Sequence, residues 1–138
     1  MNQWCFSELA IGMSAEFSIE VTGEMQAAFC RLSGDVNPLH TSQEEAVSRG
    51  FPQPVVYGML TASFYSTLVG VYLPGRYCLF QELQVAFCSP VFVKDVLHIS
   101  GKIVERNETF KRVKIKAEIR NQENKKVSRA IINAGVSQ

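Results

Sequence analysis

Histidine is scarce: only His40 and His98 occur in 138 residues, too far apart in the chain to suggest a metal constellation. The four cysteines, Cys5, Cys30, Cys78 and Cys88, are scattered without a Cys-x-x-Cys spacing. An oxidised secreted framework of this size is normally denser, so they read as reduced, buried thiols. Neither sign of charge dominates. The 14 Lys and Arg stand against 13 Asp and Glu, a net charge of +1, which gives no electrostatic reason to expect nucleic acid or an anionic membrane as partner. The start, MNQWCFSELAIGM, lacks a basic region followed by an apolar run, so no signal peptide is expected. The longest apolar stretch, Met59 to Leu73, is broken by Thr61, Ser63, Ser66, Thr67 and Gly70 and is too short and polar for a membrane span. Repeats, linkers and low-complexity stretches are also missing. What remains is a single domain over residues 1–138, 46% apolar and 20% charged, with enough chain to bury a core and a cytoplasmic location as the simplest reading.

The pattern of apolar residues divides the chain. Glu16 to Thr22 sets Phe17, Ile19 and Val21 against polar neighbours, a half-buried strand. After Gly23, the spacing of Met25, Ala28, Phe29 and Leu32 predicts an amphipathic helix that Gly34 ends. Asp35 to Pro54 looks irregular, apart from a short helix capped near Thr41 or Ser42 and running to about Arg49. From Gly58 to Gly70 a second helix carries apolar residues on nearly every face and therefore needs burial on most sides. Four alternating segments follow. Leu79 to Phe87 aligns Leu79, Leu83, Val85 and Phe87; Val96 to Val104 aligns Leu97, Ile99 and Ile103. Lys111 to Arg120 aligns Val113, Ile115, Ala117 and Ile119; Val127 to Val136 aligns Ala130, Ile132, Ala134 and Val136. With the first strand they make an α+β fold: a curved antiparallel sheet of about five strands wrapped around the apolar helix.

Chemistry concentrates in Asp35-Val-Asn37-Pro38-Leu-His40, where a carboxylate and an imidazole share one tight, non-helical turn and could hold one water molecule between them. Two structural alternatives stand beside this reading. Asp-x-Asn-Pro is a common turn in which aspartate bonds its own backbone, and His40 could simply bond a carbonyl. His98, inside a strand pattern, reads as structural. Gly58 opens the buried helix, where unpaired N–H groups and the positive dipole end could stabilise an oxyanion. The alternative is that glycine only permits a sharp turn.

Taken together, Asp35-Val-Asn37-Pro38-Leu-His40 and Phe51-Pro-Gln-Pro54-Val-Val-Tyr57-Gly58-Met59-Leu60 resemble the MaoC-like, (R)-specific enoyl-CoA hydratase family, whose pattern is Asp-x-Asn-Pro-x-His followed by an aromatic–Pro segment leading to His-Gly-Met-Leu. Leu73-Pro-Gly75, Phe87, Pro90-Val-Phe-Val and Asp95 extend the likeness over most of the chain. The resemblance implies a hot-dog fold, a homodimer with sites near its interface, and hydration of trans-2-enoyl thioesters or the reverse dehydration of (R)-3-hydroxyacyl thioesters. It assigns the acid–base pair to Asp35 and His40, the backbone oxyanion donor to Gly58, and a serine near the site to Ser66. Asn37 and Tyr57 join the substrate-binding group, with Tyr57 standing where the family commonly has histidine. No cofactor or metal is implied. The acyl group would ride on coenzyme A or an acyl carrier protein, and Lys94, Lys102, Arg106 and the Arg112/Lys114/Lys116 face are candidates for the phosphates, against a reading of them as plain solvent surface. Two other functions share the pattern: a hot-dog acyl thioesterase, and a non-catalytic acyl-thioester-binding protein.

Overall fold

The alternating segments become β1 (Ser14–Glu20), β2 (Cys78–Phe87), β3 (Val96–Asn107), β4 (Arg112–Arg120) and β5 (Lys126–Val136) in the computed structural model, which describes residues 1–138. Between β1 and β2 lie α1 (Gly23–Ser33), α2 (Pro38–Thr41), α3 (Gln43–Ser48) and α4 (Gly58–Thr67). The strands form one antiparallel sheet in the order β1-β3-β4-β5-β2. β1 and β2 are therefore its two edges. Strict period-two patterning sets the inner face: Leu97, Ile99, Ile103, Val113, Ile115, Ile119 and Ile132 have no exposed surface.

That face packs on α4, which buries Leu60, Thr61, Ala62, Phe64 and Tyr65. Burying side chains as large as Leu or Phe contributes about 1.5–3 kcal/mol each. The Tyr65 hydroxyl meets the Ser128 hydroxyl of β5 at 2.8 Å, so this buried polar tip is satisfied. Gly101 on β3 makes room for the helix: a Cβ there would lie 2.7 Å from Leu68 Cδ2. The result is the hot-dog arrangement, a sheet curved around a central helix. No helix is long and apolar enough to cross a membrane.

Three sequence expectations change. The central helix keeps α geometry only to Thr67; Leu68–Tyr72 widens into a π turn closed by Leu73 N–H on the Leu68 carbonyl at 3.0 Å. His40 lies within the single-turn helix α2, because Pro38 occupies its first position and Asn37 caps it. Leu79 leaves the face expected for it. The β2–β5 register slips between Phe80 and Glu82, and one extra residue turns every side chain before the slip to the opposite face. Phe80, paired with Ala134, takes the inner side instead, and Leu79 pairs with Gly135.

Candidate active site

The site begins where α1 ends. Gly34 adopts φ 73°, a left-handed stop that glycine takes without strain, and its N–H bonds the Cys30 carbonyl at 2.9 Å. Asp35 follows. Its Oδ1 accepts the Asn37 N–H at 3.0 Å, and Asn37 Oδ1 in turn accepts the Leu39 N–H at 3.0 Å to cap α2. These two local bonds set the orientation of the turn that carries His40. The His40 Nδ1–H donates to the Val55 carbonyl at 2.7 Å. A carbonyl can only accept, so Nδ1 carries a proton, and in the neutral form of the ring the lone pair lies on Nε2. Both structural alternatives raised by the sequence are thus realised. Each engages one atom, and neither uses Asp35 Oδ2 or His40 Nε2.

Two side chains tie these turns together. Gln26, on α1, donates from Nε2 to the His40 carbonyl at 3.2 Å and to the Val55 carbonyl at 3.1 Å, while its Oε1 accepts the Tyr57 N–H at 3.3 Å. Tyr57 is 2% exposed, with its ring centroid 4.1 Å from that of His40 and 5.1 Å from that of Phe29. Its hydroxyl donates to the Asp35 backbone carbonyl. Burial first, then neighbouring Cys30 and the Asp35 charge, push the phenol up to about 12. It therefore stays protonated at neutral pH, as donation to a carbonyl requires. Gln26 went unmarked in the sequence, where it is one polar residue on an amphipathic helix.

A cavity of about 350 Å³ opens beside this cluster, lined by His40, Gly58 and Thr61 with the apolar Phe51, Val56 and Phe87 among its walls. Gly58 is the first residue of α4, so its N–H has no acceptor within the helix, and Tyr57 supplies no side-chain cap. A Cβ at Gly58 would stand 3.1 Å from the Phe87 ring. The absent side chain thus lets Phe87 close over the helix end and leaves the backbone open to a ligand oxygen.

The structure brings His40 and Gly58 into one cavity; exposed Asp35 does not line it and is linked to His40 through Tyr57, which bonds the Asp35 backbone carbonyl and packs on the His40 ring. Three residues expected to bind substrate do not line the cavity. Tyr57 is sealed behind His40, and Asn37 is committed to capping α2. Ser66 is exposed and lies eight residues along α4 from Gly58, about 12 Å at 1.5 Å per residue, so it does not line the cavity either. Thr61 takes the nearer polar place, its hydroxyl donating to the Gly58 carbonyl at 2.7 Å.

No lysine or arginine lines the cavity. Arg106 lies over the Phe6 ring at 4.3 Å and bonds the Phe6 carbonyl, while Lys114 pairs with Glu105 at 2.7 Å. His98 bonds Ser18 at 3.1 Å across β1 and β3. A larger groove of about 550 Å³ runs over the sheet among Gln84, Lys116, Glu118 and Arg129. There a hydrogen bond from Arg120 holds the Glu118 carboxyl below its usual range, and no histidine or helix N-terminus joins it.

Residues 7–126 match the model of the MaoC like domain. The chain is 40% identical over 87 residues to an (R)-specific enoyl-CoA hydratase of Aeromonas caviae, covering 63% of this chain and 65% of that protein. It is 26% identical over 100 residues to a 3-hydroxybutyryl-CoA dehydratase of Methylorubrum extorquens, covering 72% of this chain and 64% of that one. The matched stretches thus span somewhat under two thirds of these relatives' own lengths. Among solved structures, the Aeromonas caviae (R)-hydratase superposes with a TM-score of 0.88 at 30% identity, over 93% of this chain and 97% of that one. An (R)-hydratase of Pseudomonas aeruginosa gives 0.89 at 25% identity, over 96% and 84%.

Proposed function

Because the chain belongs to the MaoC-like domain family, we propose that it adds water to the double bond of trans-2-enoyl thioesters to give (R)-3-hydroxyacyl thioesters, and catalyses the reverse dehydration. The observation that carries this reading is the meeting, in one largely apolar cavity, of the His40 ring and the free N–H of Gly58. The water oxygen bonds to C3 as the C2–C3 double bond breaks. Asp35 and His40 hold that water, take up the proton it loses and return a proton to C2. The negative charge that gathers on the thioester oxygen as C3 is attacked meets the Gly58 N–H, a donor already oriented before the reaction. The acyl group arrives on coenzyme A or on an acyl carrier protein, and the protein's own groups suffice for the chemistry without a cofactor.

Activity is tested with short- to medium-chain enoyl thioesters on both carriers, following enoyl absorbance and free thiol together. Loss of enoyl absorbance without thiol release is expected. Thiol release would make the protein a thioesterase, and binding without turnover would make it a carrier of acyl thioesters.

The working form in this reading is a cytoplasmic homodimer joined along β2. This edge strand has ten residues, and Leu79, Phe80 and Phe87 on it are exposed. The other edge, β1, turns Ser14, Glu16, Ser18 and Glu20 outward and is guarded by charge. Phe87 also lines the cavity, so the interface would adjoin the site. Light scattering is expected to give twice the mass of one chain, falling toward one chain in a Phe80→Lys variant. A wild-type protein with the mass of one chain would contradict this assembly.

A further inference from the structure

We infer that Tyr57 is a positioning residue, one buried side chain that holds both members of the acid–base pair in place. The inference rests on the hydratase reading for its kinetic consequence and on geometry alone for the rest. Tyr57 is 2% exposed and absent from the cavity lining, so it does not meet substrate. Its hydroxyl instead grips the backbone carbonyl of Asp35, and its ring lies tilted at 33° against the His40 ring. Phe29 supports the Tyr57 ring at 5.1 Å, and Gln26 fixes its N–H. The same Gln26 amide bonds the carbonyl of Val55, the group that orients His40 through Nδ1. His40 is thereby held by a carbonyl at one ring nitrogen and an aromatic face beside it, while the Asp35 turn is held from the other end of the same phenol.

Histidine, the residue common in the family at this place, cannot make both contacts in this way. An imidazole has no atom as far from its backbone as the phenol oxygen. The tyrosine therefore supplies a link between the two turns that is a property of this chain. Freeing that link loosens the Asp35 turn against a fixed His40, and misplacement of about 1 Å in a catalytic group can cost 10²-fold in rate.

Tyr57→Phe removes the hydroxyl and keeps the ring. Its kcat is expected to fall about tenfold, within the range that such misplacement produces, with KM for the enoyl thioester unchanged. Amide exchange across residues 34–41 is expected to quicken in the same variant, while the His40 ring-proton shifts caused by the neighbouring aromatic ring persist. Those shifts should be lost in Tyr57→Leu. If the wild-type chain turns over no enoyl thioester, the hydratase reading fails, and the exchange and ring-shift measurements still decide the role of Tyr57. Unaltered exchange across 34–41 in Tyr57→Phe would overturn the inference, as would a loss confined to KM, which would mean that the hydroxyl meets substrate.

Discussion

Replacing His40 by glutamine is expected to lower enoyl hydration by about 10²–10⁴-fold, the range for loss of a general acid–base group, and Asp35→Asn by a similar factor. Glutamine can still reach toward the Val55 carbonyl that His40 Nδ1 bonds at 2.7 Å, but it has no nitrogen that takes and returns a proton. Asparagine can still accept the Asn37 N–H, bonded at 3.0 Å in the native turn, yet it carries no charge. Both variants should therefore fold and bind the thioester with nearly native KM, so that the loss lies in kcat. Because the proposed mechanism has the two side chains share one water, removing both should cost about as much as removing either. Steady-state kinetics of the two single variants and the double variant check this. Near-native turnover in either single variant would remove that residue from the mechanism.

The second large effect concerns a backbone atom. Gly58→Pro deletes the N–H proposed to meet the thioester oxygen and little else of the helix. Proline is favoured at the first helical position, and the preceding Tyr57 already has ψ 125°, which a following proline requires. The added Cβ will press on Phe87, 3.1 Å away, but Gly58→Ala meets the same contact and keeps the N–H. The comparison of proline with alanine therefore isolates the hydrogen bond. The proline variant is expected to turn over about 10²–10³-fold more slowly than the alanine variant, the usual cost of losing one oxyanion donor. Equal kcat values would assign Gly58 a purely steric role beneath Phe87.

Much of the architecture was legible because it is local and periodic. Val113, Ile115 and Ile119 alternate with charged neighbours, and each is fully buried on β4. The crowd of apolar residues after Gly58 required a sheet around it, and α4 has one. The slip at Phe80 was not legible. A bulge depends on how two strands pair, and the alternation of Leu83, Val85 and Phe87 extends naturally back to Leu79.

The site divides in the same way. Asp35, Asn37 and His40 lie within one short turn, so their neighbourhood follows from the sequence. Gln26 acts on His40, Val55 and Tyr57 across separations of 14, 29 and 31 residues, and nothing in its local context marks it. Tyr57 stood out as a departure from the family's pattern, but its burial depends on Phe29 and His40 closing over it. Ser66 was placed by motif alone. It lies exposed two turns along α4, outside the lining of the cavity that Gly58 shares.

The central claim is that this chain adds water across an enoyl thioester. It is tested most directly by incubating the protein with trans-crotonyl thioester in heavy water and following the product by NMR. The expected product is (R)-3-hydroxybutyryl thioester with one deuterium at C2 and the thioester intact. Free thiol with the double bond preserved, or an unchanged enoyl signal at substrate-level protein concentration, would contradict it.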